Sequence, residues 1–166
     1  LKSITLTGKI TAVEDETFNG CVALSRVQLP GTVTKIGAKA FLGCSSLVSL
    51  NIPSCVTEIG AEAFADCGAI EGLNVPGSLK SLGDYAFRGC KIKDVLLPAS
   101  LEEVGLSPFV ACDIAEYKVQ AGNSLFVASD GVLYNADKTR LVSYPPLKSG
   151  AEFAMPETAV TADKYA

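Results

Sequence analysis

Five of the six cysteines stand on one register. Cys21, Cys44, Cys67, Cys90 and Cys112 follow one another at intervals of 23, 23, 23 and 22 residues. Thiols are natural candidates for metal ligation, redox exchange or nucleophilic attack. The interval does not match the CxxC…CxxC spacing of a zinc site. One thiol per period, always at an apolar position, reads instead as a buried ladder of small hydrophobes. Disulfides between neighbouring periods would need the thiols to approach closely, and a ladder of five would leave one unpaired. Cys55 lies off this register, where Thr32 and Ser78 stand in their own periods. It is expected to be exposed, as a reactive thiol or a chance occupant.

Other chemistry is sparse. The chain has no histidine, which removes Ser-His-Asp and Cys-His catalysis and all histidine zinc sites. Glu58, Glu62, Asp66, Glu102 and Glu103 are glycosidase candidates by type, because that reaction needs two carboxylates facing one sugar bond. Their places in the period put them on outer columns, where solvated charge is the simpler reading. Asp130-Gly131 lacks the EF-hand pattern and is better explained as a hairpin turn between alternating apolar runs. The net charge is −4, with Lys and Arg scattered singly. A nucleic-acid partner is therefore not expected, since phosphate binding draws on a basic field. No apolar run approaches about 18 residues, so no membrane insertion is expected in this segment. Neither a cofactor nor a metal is expected.

The elements that place these residues follow from the same period. Phe18, Phe41, Phe64, Phe87 and Phe109 precede the five cysteines by three residues each, and Pro30, Pro53, Pro76 and Pro98 recur at 23, 23 and 22. One period runs from Leu24 to Cys44. Leu24, Val27 and Leu29 alternate around polar Gln28, which is strand-like. Pro30 lacks a backbone donor and ends that ladder. Val33 and Ile36 point inward from a second short extended piece, and Gly37 permits the following turn. Ala40 and Phe41 are expected in a tight helical or 3₁₀ turn, too short for an independent helix. A unit of this length cannot bury its own apolar face, but it can when stacked on its copies. The fold expected is a right-handed repeat solenoid, mainly β with short helical turns, with phenylalanine and cysteine stacks inside. Each buried phenylalanine is worth roughly 1.5–3 kcal/mol. Lys35, Glu58, Ser81 and Glu103 form one outer column, with Lys35 beside Glu58 as a cross-coil ion pair.

The organisation expected is a solenoid of about five coils over 1–114, a β-hairpin insertion over 115–150, and a degenerate further repeat or cap over 151–166. In that last part Ala162-Asp163 stands where Ile-Gly is expected. Leu1 already stands in register, so the sequence reads as a piece of something longer. The outer positions of the main strands form columns about 4.8 Å apart per coil. Arg26, Gln28, Ser49, Asn51, Glu71, Asn74, Lys93 and Asp94 line them. Such a flat, mixed-polarity face suits a protein or glycan ligand; the alternative is that it is simply the wet side of the sheet.

The run Leu47-x-x-Leu50-x-Ile52-Pro53-x-x-Val56-Thr57-x-Ile59-Gly60-x-x-Ala63-Phe64-x-x-Cys67 resembles the BspA-like leucine-rich repeats of bacterial surface proteins. The first unit departs from the pattern, with Thr7 for Pro and Glu14 for Gly, as an edge coil could. Asn123, Asp130 to Asn135, Lys138-Thr139 and Leu141 to Pro145 resemble the hairpin insertion such proteins carry. The resemblance implies a non-catalytic interaction module, secreted or on the cell surface, that adheres to a host protein or glycan. The competing readings are a carbohydrate-active parallel β-helix enzyme and a structural spacer of a larger surface protein.

Overall fold

The alternation Leu24-x-x-Val27-x-Leu29 recurs in every coil, and the strands it makes lie side by side. In the computed structural model, which describes residues 1–150, 152–164 and 166 and all their side chains but that of Ser49, β1 (Ser3–Thr5), β3 (Arg26–Gln28) and β5 (Ser49–Asn51) form a parallel ladder. Ile4 pairs with Val27 and Val27 with Leu50, so each step equals one period of 23 residues. A second parallel ladder joins β2 (Ala12–Val13), β4 (Lys35–Ile36), β6 (Glu58–Ile59), β7 (Ser81–Leu82) and β9 (Glu103–Val104). Val13, Ile36, Ile59, Leu82 and Val104 align along it and point inward. Beyond the first coil both strand types are short because a proline follows the first and a glycine the second.

The third side of each coil is a turn, and here the helical expectation is corrected. No helix occurs among the described residues. Two residues before each phenylalanine stand Glu16, Lys39, Glu62, Tyr85 and Ser107, and two after it Gly20, Gly43, Asp66, Gly89 and Ala111. All ten have positive φ, between 40° and 72°. A helix needs an unbroken right-handed run, and these left-handed residues interrupt it twice per coil. The alternation turns the amides of Lys39, Phe41 and Gly43 toward the next coil, where they donate to the carbonyls of Ala61, Ala63 and Ala65 at 2.8 Å each. The turns thus form a third hydrogen-bonded ladder.

Gly37 does not serve the turn through its backbone freedom; its φ is not positive. A Cβ on Gly60 would lie 2.5 Å from the Ala38 nitrogen, and one on Gly83 2.4 Å from the Ala61 nitrogen. The glycine column exists because successive backbones touch there. Glu14 holds the equivalent place in the first coil, where no preceding coil of this structure presses on it.

Inside, the phenylalanine rings stack at centroid distances of 5.2, 5.1, 5.1 and 5.6 Å from Phe18 to Phe109, with interplanar angles under 20°. Tyr117 continues the stack, tilted, at 6.0 Å. All six cysteines are free thiols. Cys44, Cys67, Cys90 and Cys112 are buried and donate to the carbonyls of Phe18, Phe41, Phe64 and Phe87, one coil earlier, at 3.1–3.2 Å. Burial pushes the Cys90 thiol up and holds that of Cys112 at about 12.

Residues 117–119, placed in the insertion by sequence, form β10 (Tyr117–Val119), which pairs in parallel with β8 (Val95–Leu97) and continues the stack. The antiparallel part runs through β11 (Phe126–Ser129), β12 (Val132–Asn135) and β13 (Arg140–Ser143). Asp130 and Gly131 both have positive φ, 51° and 73°, as a type I′ hairpin turn requires. β14 (Thr161–Ala162) then pairs in parallel with β13. The Ala159 amide bonds to Pro156 as Val33 bonds to Pro30, so coil geometry returns after the hairpin. Asp163 takes the place of the glycine and holds Arg140 through two hydrogen bonds of 2.7 and 2.6 Å.

Candidate functional site

The outer side of the first ladder carries two columns. Ser3 and Arg26 stand in one, with Ser49 next in the backbone register; Thr5, Gln28 and Asn51 make the other. Arg26, Gln28 and Asn51 are exposed, while Val27 between them is buried, so each strand shows one polar and one apolar side. Ser25 lies beside this face with its hydroxyl on the Lys2 carbonyl at 2.9 Å. The structure therefore brings Arg26, Gln28 and Asn51 together on one surface.

The continuous face expected from sequence breaks in the next coil. On this side of the third coil no strand forms over residues 71–76 among the described residues; Glu71, Gly72 and Asn74 are exposed, and the ladder is interrupted there. Gly72 stands at the register position of Arg26, the first residue of β3, where it offers no side chain and costs backbone entropy. In the coil after that, β8 begins at Val95, in the register place of Val27, and leaves Asp94 just outside it. Glu71, Asn74, Lys93 and Asp94 are exposed, and no strand pairing joins them to the Arg26 group among the described residues. Beyond the gap, Leu96 pairs with Lys118, whose ammonium bonds Glu116 at 2.9 Å. That carboxylate, helped by Asp94, raises the Lys118 pKa.

The carboxylates weighed as catalytic candidates are engaged with partners. Glu58 meets Lys35 at 2.8 Å, as the column alignment predicts, and Glu102 meets Lys80 at 3.0 Å. Arg88 draws Asp66 to 2.9 Å and Glu62 to 3.8 Å. Glu103 accepts the Ser81 hydroxyl at 3.2 Å. These exposed contacts contribute about 0.2–1 kcal/mol each.

Cys55 is half-buried, not exposed. Its thiol donates to the carbonyls of Gly31 and Val33. Thr32, Ser78 and Ser100 donate in the same way, to Ile10, Val56 and Leu79, at 2.6 Å each. Cys55 is therefore the sulfur member of a hydroxyl ladder, invisible from sequence because its column holds only small polar residues otherwise. A groove of about 430 Å³, also unforeseen, lies between the second ladder and the hairpin, lined by β7, β9, Phe126 and Arg140.

The family model of the BspA type leucine rich repeat region matches residues 1–116 in six copies. The chain belongs to the BspA-type leucine-rich repeat family. This BspA-type solenoid superposes on a leucine-rich repeat protein from Eubacterium ventriosum with a TM-score of 0.84 at 28% identity, covering 99% of this chain and 44% of that one. A Treponema pallidum leucine-rich repeat protein aligns with a TM-score of 0.66 at 34% identity, covering 69% and 57% respectively. A leucine-rich cell surface protein from Faecalibacterium prausnitzii gives 0.71 at 25%, covering 96% and 50%. The chain thus spans about half the length of these BspA-type relatives. No curated protein sequence matches it.

Proposed function

We propose that the chain is a non-catalytic interaction module of a secreted or cell-surface protein, and that it binds a protein or glycan through the outer side of β1, β3 and β5. The single observation behind this reading is the pair of adjoining columns that present Arg26 in one and Gln28 and Asn51 in the other. Backbone ladders on three sides hold it, so its polar groups lose little freedom on binding. Arg26 supplies a charged fork and Gln28 and Asn51 paired amides, a set that can recognise carboxylate, hydroxyl and amide groups. The kinship with bacterial surface repeat proteins supports the same reading.

The test is a glycan and host-protein array probed with the wild type and with a triple variant, Arg26→Ala, Gln28→Ala and Asn51→Ala. A ligand whose affinity falls at least about tenfold in the triple variant, with melting unchanged, supports the proposal. Binding indifferent to the three changes would move the site elsewhere; no capture at all would favour a spacer. A polysaccharide panel incubated with the protein should return no cleavage product, and a reproducible product would overturn the non-catalytic reading.

A further inference from the structure

The second ladder ends abruptly at β9. In every earlier coil its outward carbonyls are taken. The carbonyls of Thr11, Thr34, Thr57 and Lys80 accept the amides of Thr34, Thr57, Lys80 and Glu102 at 2.8–2.9 Å. Those of Val13, Ile36, Ile59 and Leu82 accept Gly37, Gly60, Gly83 and Gly105 at 2.7–2.8 Å. The next members of these two series are the carbonyls of Glu102 and Val104. Among the described residues nothing donates to either.

The cause lies in Asn123. Its side-chain oxygen accepts the amides of Leu125 and Phe126 at 2.8 Å each, while its amide nitrogen bonds the carbonyls of Pro98 and Leu101 at 3.0 Å. The chain that would have laid a strand along β9 is diverted into β11. Val104 is consequently half-buried, whereas Val13, Ile36, Ile59 and Leu82 at the same register are at most 2% exposed. The groove of about 430 Å³ opens at this edge, with the backbone of β9 on one wall and the side chains of Phe126 and Arg140 on the other.

We propose that the open edge of β9 accepts a cationic, extended peptide segment as an added strand. Two free carbonyls two residues apart match the repeat at which an extended chain presents its amides on one side. The groove volume suits a few residues rather than a folded domain. Its charge favours a cationic guest. Arg140 is neutralised by Asp163 and Glu102 by Lys80, which leaves the carboxylates of Asp84 and Glu103 without a cationic side-chain partner among the described residues. Exposed edges of this kind are templates for strand addition. This site is distinct from the Arg26 face and does not depend on it.

The probe is an acetylated, amidated pentapeptide alternating lysine and valine, titrated into the isotopically labelled chain and followed by amide chemical shifts. The expected result is saturable shifts centred on Val104 and Gly105. N-methylation of alternate peptide amides should weaken binding at least about tenfold, because it removes the donors to the two carbonyls. Glu103→Lys, at an exposed position, should weaken binding about fivefold or more with melting unchanged. Equal binding of the methylated peptide, or of a glutamate-for-lysine peptide, would overturn the proposal. So would shifts centred on Arg26 and Gln28, no shift at millimolar peptide, or a chain dimer that occupies the β9 edge.

Discussion

The thiol of Cys67 donates to the carbonyl of Phe41, one coil earlier, at 3.1 Å, and the same carbonyl accepts the amide of Cys44 at the same distance. The carbonyls of Phe18, Phe41, Phe64 and Phe87 are each shared in this way between their own coil and the next, so the cysteine ladder ties coils together rather than merely filling space. Replacing Cys67 with alanine should cost about 1–2 kcal/mol, from a lost buried donor and a small cavity. The same change at Cys21, which is only half-buried at the first coil, should cost less. Urea denaturation of the two variants decides this; equal losses would mean that the ladder bond contributes nothing.

The same ladder predicts loss of stability in alkali. Burial raises Cys112 to about 12 and raises Cys90 as well. The folded state therefore keeps protons that the unfolded chain releases near pH 8.5. This contribution is fully present below that pH and declines as pH rises toward the folded value, by about 2 kcal/mol per thiol at pH 10. Denaturation midpoints at pH 7, 9 and 10 test it. A midpoint that stays level to pH 10, under reducing conditions, would contradict the buried state of the thiols.

Two glycines should respond oppositely to the same change. Gly60→Ala drives a Cβ to within 2.5–2.9 Å of the Ala38 and Gly37 backbone and should destabilise by about 1–3 kcal/mol. Gly72 has nothing within 4 Å, so Gly72→Ala should be neutral or stabilising by about 0.4–1 kcal/mol. Thermal melting of the pair measures the difference.

Asn123 makes four hydrogen bonds that hold the chain's exit from the coil. Asn123→Ala should cost about 2–3 kcal/mol, and it should speed amide exchange at Leu125 and Phe126 more than at Phe64. Unchanged exchange at these two amides would show that another contact diverts the chain.

What could be read beforehand follows from physics that repeats. A phenylalanine, a cysteine and a proline kept in step across five periods leave stacking as the way to bury all copies, so the ladders, the ring stack and the Lys35–Glu58 pair were legible. The left-handed turns were not, because Glu16, Lys39, Tyr85 and Ser107 share no type that announces positive φ. Gly37 misled for a related reason: glycine answers equally to a special φ and to a close backbone, and only coordinates separate the two. The break in the strand face coincides with one exposed glycine, Gly72, whose effect on a strand depends on its neighbours. The open edge of β9 rests on where the Asn123 side-chain oxygen points.

Contacts between the phenylalanine rings test the stacked-coil account most directly. With phenylalanine ring protons labelled, nuclear Overhauser contacts should run from Phe18 to Phe41, Phe64, Phe87 and Phe109 in order, at the 5.1–5.6 Å centroid spacing, and skip none. Absence of a contact between Phe41 and Phe64, or a contact joining Phe18 to Phe87, would contradict it.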